Sequence, residues 1–144
     1  MLPSVAQRFS VQLTVRNYEI DFNGHVNHTV YHQYAEHARS EHLRAAGFGL
    51  AQQRGHRVGM VLLETHVRFR RELTVGENVR VTSELEFGEG KTFRIDHLIL
   101  RADGEHAAEL RCVMGLLDTE GRRLLADPRG RLGTIVKRPE LLGI

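Results

Sequence analysis

A single cysteine, Cys112, rules out an internal disulfide, so packing and hydrogen bonds must hold this chain together. One thiol suits a reducing compartment, and the expected location is the cytoplasm. Apolar runs are short. None approaches the roughly 20 residues that cross a bilayer, so no membrane insertion is expected. The stretch from Met1 to Arg8 lacks the charged start and long apolar centre of a signal peptide. An excess of one charge is missing too. The formal net charge is +2 with histidines neutral, too little to imply a nucleic-acid partner. No repeat or low-complexity segment is present.

What remains is an ordinary globular composition, 41% hydrophobic and 26% charged, over 144 residues. That length supports one domain, 1–144, with a real core. Phe9, Val11, Leu13 and Val15 alternate with polar residues, the period of a half-buried strand. Asp21-Phe22-Asn23-Gly24 has the chemistry of a type I turn. Asn27 is placed to cap a helix running from about His28 to Ala46, and Gly47 to end it. Ala35 and Ala38 would let a sheet approach one face closely. Glu36, Arg39, Glu41 and Arg44 form the polar side, with Glu36–Arg39 and Glu41–Arg44 spaced as i,i+3 ion pairs.

Residues 48–56 read as a connection. Strands are expected over Arg57 to Arg71, Val79 to Phe87, Thr92 to Arg101 and His106 to Leu117. Gly88-Glu89-Gly90 and Ala102-Asp103-Gly104-Glu105 supply hairpin turns between the last three. From about Arg122 the tail reads as irregular, with a few helical residues at its end. Short turns imply antiparallel neighbours. One strand, one long helix and four strands predict an α+β domain, with the helix laid on a curved antiparallel sheet of about five strands.

The junction from Asp21 to Arg39 carries the chemistry. It places a carboxylate, Asp21, and an imidazole, His25, beside a helix start. Free backbone N–H groups and the positive end of the helix dipole lie there. Asp21 could simply open the turn, and His25 could simply bond a loop carbonyl. Asn27 reads first as a cap, and Tyr31 and Tyr34 read first as core.

Asp21, Gly24, His25, Val26, Asn27 and Tyr31, with Glu36, Ala38 and Arg39, match an Asp-x-x-Gly-His-Val-Asn-x-x-x-Tyr signature on a strand-to-helix turn. The chain thereby resembles the hotdog-fold acyl-CoA thioesterases of the 4-hydroxybenzoyl-CoA thioesterase-like branch. The segment from Val67 to Glu77 and the strand pattern extend the likeness to about Leu117. The resemblance implies hydrolysis of an acyl-CoA to free acid and CoA. Asp21 would be nucleophile or general base, and the His28 backbone N–H would polarise the carbonyl. His25 would orient Asp21, hold water or contact the thioester. Asn27 and Tyr31 would line the substrate site. His28 stands where the signature often has a second Asn, which leaves the backbone donor intact. The resemblance further implies homodimers or homotetramers with the site between subunits, and no cofactor beyond the CoA of the substrate. The alternatives are an acyl-carrier-protein thioesterase and a non-catalytic acyl-CoA-binding protein of the same fold.

Other signals are weaker. Arg68 and Arg70, among several basic residues, are candidates for the CoA phosphates. Glu64 reads as structural or as a pocket-edge group. His28 and His32 are spaced i,i+4, but no third ligand accompanies them, and no metal is expected. Gly90-Lys91-Thr92 lacks the earlier glycine of a phosphate loop, because Leu85 stands there.

Overall fold

The computed structural model describes residues 4–144. Met1 to Pro3, part of the stretch read for a leader, lie outside them. Strand β1 (Phe9–Thr14) leads through a 3-10 turn at Asn17–Glu19 to helix α1 (His28–Ala46). A short helix α2 (Leu50–Gly55) follows. Strands β2 (Val58–Phe69), β3 (Asn78–Phe87), β4 (Thr92–Arg101) and β5 (His106–Asp118) come next, then a two-residue β6 (Arg123–Leu124) and helix α3 (Pro128–Ile135). The sheet order is β1-β3-β4-β5-β2, every neighbour antiparallel, and β6 extends β5. The expected hotdog architecture is what the chain adopts, an antiparallel sheet curled around one long helix.

Local chemistry sets the bounds of α1. Asn27 Oδ1 accepts from the Thr29 N–H at 2.9 Å, and Gly47 takes a left-handed φ of 95° that a side chain would resist. Its inner face is Val30, Tyr31, Tyr34, Ala35, Ala38, His42, Leu43 and Ala46. Ala35, Ala38 and Ala46 are fully or almost fully buried, so the helix lies close on the sheet. It packs mainly over β3, with β1 and β4 beside it. Register then decides the sheet faces. Phe93, Ile95, His97 and Ile99 of β4 sit opposite Met114, Cys112, Leu110 and Ala108 of β5, and all eight are buried beneath the helix.

Three expectations change. Residues 50–55 are helical, because Phe48 is buried and Gln52 accepts from the Gly49 N–H at 2.9 Å. The tail from residue 122 is ordered well before its end. Asp127 caps α3, Leu132 and Leu142 are buried, and the Lys137 and Arg138 N–H groups both donate to the Ala46 carbonyl, at 3.0 and 3.1 Å. Glu41 and Arg44 do pair, but Arg39 leaves Glu36 and turns inward to His97 and Cys112. Among the described residues no helix is long and apolar enough to cross a membrane.

Candidate active site

The turn before α1 is tied down from three sides. The Gly24 N–H donates to the Asp21 carbonyl at 3.0 Å, closing the expected turn with Gly24 at φ 84°. The Asp21 N–H donates to the His25 carbonyl at 2.9 Å, and Val26 hooks onto the Leu73 carbonyl at 2.8 Å. Behind the turn lies a buried carboxylate, Glu19. It accepts from the Arg16 N–H at 2.8 Å and from the Tyr34 hydroxyl at 2.7 Å. The Asn27 N–H donates to the Glu19 carbonyl at 2.9 Å. Glu19 and Tyr34 thus lock the loop to the helix it precedes.

Asp21, His25, His28 and Tyr31 line one open cavity of about 290 Å³, together with Asn23, Phe69, Arg70, Arg71 and Glu72. Asp21 Oδ1 accepts from the Asn23 N–H at 2.9 Å, and among the described residues Oδ2 has no hydrogen-bond partner. The Thr29 and Val30 N–H groups are taken by Asn27, whereas the His28 N–H has no acceptor among the described residues. An unused carboxylate oxygen and an unused amide therefore border the same space. Tyr31 packs edge-on against Phe69, with ring centroids 5.2 Å apart. Burial, and then the Glu72, Glu77 and Asp21 carboxylates, push the Tyr31 phenol above its ordinary pKa. It stays protonated at neutral pH.

The other expected residues are placed differently. Asn27 directs its side chain to Thr29 as a cap, and Arg70 borders the cavity while its guanidinium pairs with Glu109 at 2.9 Å. Arg68 lies apart, in a groove on the convex face with His66, Asp96 and Arg111. Glu64 is exposed near Glu86 and Arg94, away from Asp21. Among the described residues no group of three His, Cys, Asp or Glu side chains is arranged to hold a metal. Phe69 and Glu72 were not expected at the site. Only the return of β2 to the start of α1 brings them there. Glu72 is held below the usual carboxylate range by its own backbone N–H first, with His25 adding to the effect.

Residues 15–140 match the model of the thioesterase-like superfamily. The chain belongs to that superfamily. A putative esterase of Aquifex aeolicus is 30% identical to this thioesterase-like chain over 95 residues, 66% of the chain and 74% of the relative. The long-chain acyl-CoA thioesterase FadM of Escherichia coli is 25% identical over 130 residues, 88% of this chain and 98% of the relative. Among solved structures, the probable thioesterase YbaW of Escherichia coli superposes with a TM-score of 0.79 at 25% identity, covering 90% of this chain and 99% of its own. A CoA complex of the Staphylococcus aureus protein SAV2348 gives a TM-score of 0.81 at 23% identity, over 89% of this chain and 80% of that one.

Proposed function

We propose that this chain is an acyl-CoA thioesterase in which Asp21 drives hydrolysis and the His28 N–H stabilises the developing oxyanion. The observation that carries the reading is the pairing of an unused Asp21 oxygen with an unused amide at the start of α1. In one course Asp21 takes a proton from water as the water oxygen attacks the thioester carbon. In the other its carboxylate attacks and forms an anhydride that water then opens. Both place negative charge on the carbonyl oxygen, where an amide at the positive end of the helix dipole acts best. Both release the acid and the CoA thiol, and neither calls for a metal or redox cofactor. His25 faces the same space and is suited to orient Asp21 or the water. Tyr31 and Phe69 supply a wall, and Arg70 and Arg71 stand at the rim, where phosphates of CoA find partners. Arg68 reaches a bound CoA only from the convex face.

A second copy completes the assembly in this reading. Strand β2 is an edge of the sheet, and Leu62, Leu63 and Phe69 on it are exposed. An uncovered apolar edge invites pairing with another strand. Two copies joined through β2 make a homodimer, and pairs of dimers make the homotetramer that the family resemblance implies. A cytoplasmic location agrees with acyl-CoA as substrate and with the buried free thiol of Cys112.

The test is turnover of aromatic, short-chain and long-chain thioesters, each on CoA and on carrier protein. Asp21→Asn should lower kcat by at least about a thousandfold while circular dichroism and oligomer size stay unchanged. Undiminished turnover by Asp21→Asn sinks the mechanism, and preference for the carrier-protein series corrects the substrate.

A further inference from the structure

Two buried tyrosines stand one turn apart on α1 and use their hydroxyls differently. Tyr34 donates to Glu19 at 2.7 Å and so serves the fold. Tyr31 is only 4% exposed, yet its hydroxyl has no hydrogen-bond partner among the described residues. Nor is that oxygen closed off from the Asp21 cavity, which Tyr31 borders. A buried tyrosine hydroxyl ordinarily finds its partner inside the protein. Here the partner has to arrive with a ligand.

The ring is held from two sides, by an edge contact with Phe69 at 5.2 Å and a tilted contact with Tyr34 at 6.4 Å. Side chains on a helix lean toward its N-terminus. Tyr31 therefore covers the turn that begins at His28, three residues and about 4.5 Å back along the axis. The unused His28 N–H borders the same cavity. Two donors thus lie on one face of α1, and among the described residues no acceptor answers either. Burial first, then the charges of Glu72, Glu77 and Asp21, disfavour a phenolate, so Tyr31 remains a donor. None of those three carboxylates accepts from it. An oxygen that gains negative charge in this space meets both donors and no competing acceptor.

We propose that the Tyr31 hydroxyl is a catalytic group, the second donor to the thioester carbonyl oxygen beside the His28 N–H. The inference rests on the thioesterase reading and adds a residue to its chemistry. When water or Asp21 adds to the carbonyl carbon, the π pair moves onto the oxygen, and the two donors share the charge. That pair re-forms the C=O bond as the carbon–sulfur bond breaks and the CoA thiolate leaves. The phenol proton stays on Tyr31 throughout. The ground-state carbonyl carries less charge than the oxyanion, so the bond to Tyr31 strengthens as the reaction proceeds and its loss falls on kcat.

Tyr31→Phe removes one oxygen and keeps both ring contacts. Its substrate is the thioester that the unaltered protein turns over fastest in the aromatic, short-chain and long-chain panel. Two CoA analogues of that thioester are then bound to both proteins. One is the thioether, in which a CH2 group replaces the carbonyl. The other is the trifluoromethyl ketone, whose hydrate sets an oxygen on a tetrahedral carbon. The variant should lose about a hundredfold in kcat, with KM changed by less than about threefold. Its affinity for the trifluoromethyl ketone should fall at least about tenfold, and its affinity for the thioether should be unchanged. Undiminished kcat overturns the proposal and leaves the thioesterase reading standing. So does an equal loss of affinity for the two analogues, which would make Tyr31 a packing residue. Absence of turnover by the unaltered protein across the whole panel overturns the reaction itself, and this inference with it.

Discussion

Arg39 donates from Nη1 to the Nε2 of His97 at 3.4 Å, deep between α1 and β4. The other ring nitrogen settles the tautomer. His97 Nδ1 lies 2.9 Å from the Thr82 carbonyl, which can only accept, so Nδ1 carries the proton and Nε2 is free to accept from Arg39. A proton on Nε2 would set two cations against each other in the core.

This arrangement predicts acid sensitivity. Burial first, and the Arg39 charge in addition, push His97 from the usual 6.5 down to about 3. The unfolded chain takes a proton that the folded chain refuses. The stability contributed by neutral His97 is therefore whole above pH 6.5 and is lost as pH falls toward about 3. The slope reaches about 1.4 kcal/mol per pH unit. His42, lowered chiefly by burial, acts in the same direction, while the raised carboxyls of Glu84 and Asp96 act oppositely. His97→Gln removes one titration and leaves the rest. Urea midpoints measured from pH 7 to about pH 4 should fall less steeply for His97→Gln. Parallel curves would refute the assignment.

The oxyanion donor is a backbone group, and a proline can delete it. His28 is the first residue of α1, a position that accepts proline because its N–H lies outside the helical ladder. His28→Pro should keep the fold and lower kcat about a hundredfold to a thousandfold. His28→Ala retains the N–H and should cost less than about tenfold. Equal losses in the two variants would assign the effect to the imidazole.

Tyr34→Phe removes the hydroxyl that donates to Glu19 at 2.7 Å. A buried carboxylate then loses one of its donors, at a cost of about 1–3 kcal/mol in unfolding free energy. The turn before Asp21 also loosens, so kcat should fall by more than KM changes. Chemical denaturation and steady-state rates on one preparation check both.

Leu63→Lys places a charge on the exposed edge strand β2, where Leu63 is the extra residue between Leu62 and Glu64 in the pairing with β5. The variant should shift the molecule to monomers in sedimentation and lower turnover with them. Retention of the assembly would move the dimer contact elsewhere.

The parts of the fold legible in the sequence are those fixed by neighbours along the chain. Asn27 and Gly47 mark both ends of α1, and the period of two from Val79 to Phe87 and from Thr92 to Arg101 marks which side chains go inside. Contacts made across the fold were hidden. Arg39 at i,i+3 from Glu36 looks like a surface partner, but the β4 residue that draws it inward lies 58 residues further on. α2 is bounded by glycines and holds because Phe48 is buried against the core. At the site, Asp21, His25, His28 and Tyr31 were legible as one local cluster. Phe69 and Glu72 were not, since only the path of β2 returns them to the turn.

The docking of the tail on α1 bears on how the molecule is made. His42 on α1 bonds the carbonyl of Leu141, 99 residues later, at 2.7 Å, and Ala46 receives Lys137 and Arg138. On the ribosome, the helix emerges with all its sheet partners but β1 still to be translated, and its far end is sealed only when the last helical turns arrive. Until then His42 and Ala46 lack the partners that close this end of the helix. A nascent chain stalled before α3 should therefore be the species that chaperones and proteases recognise.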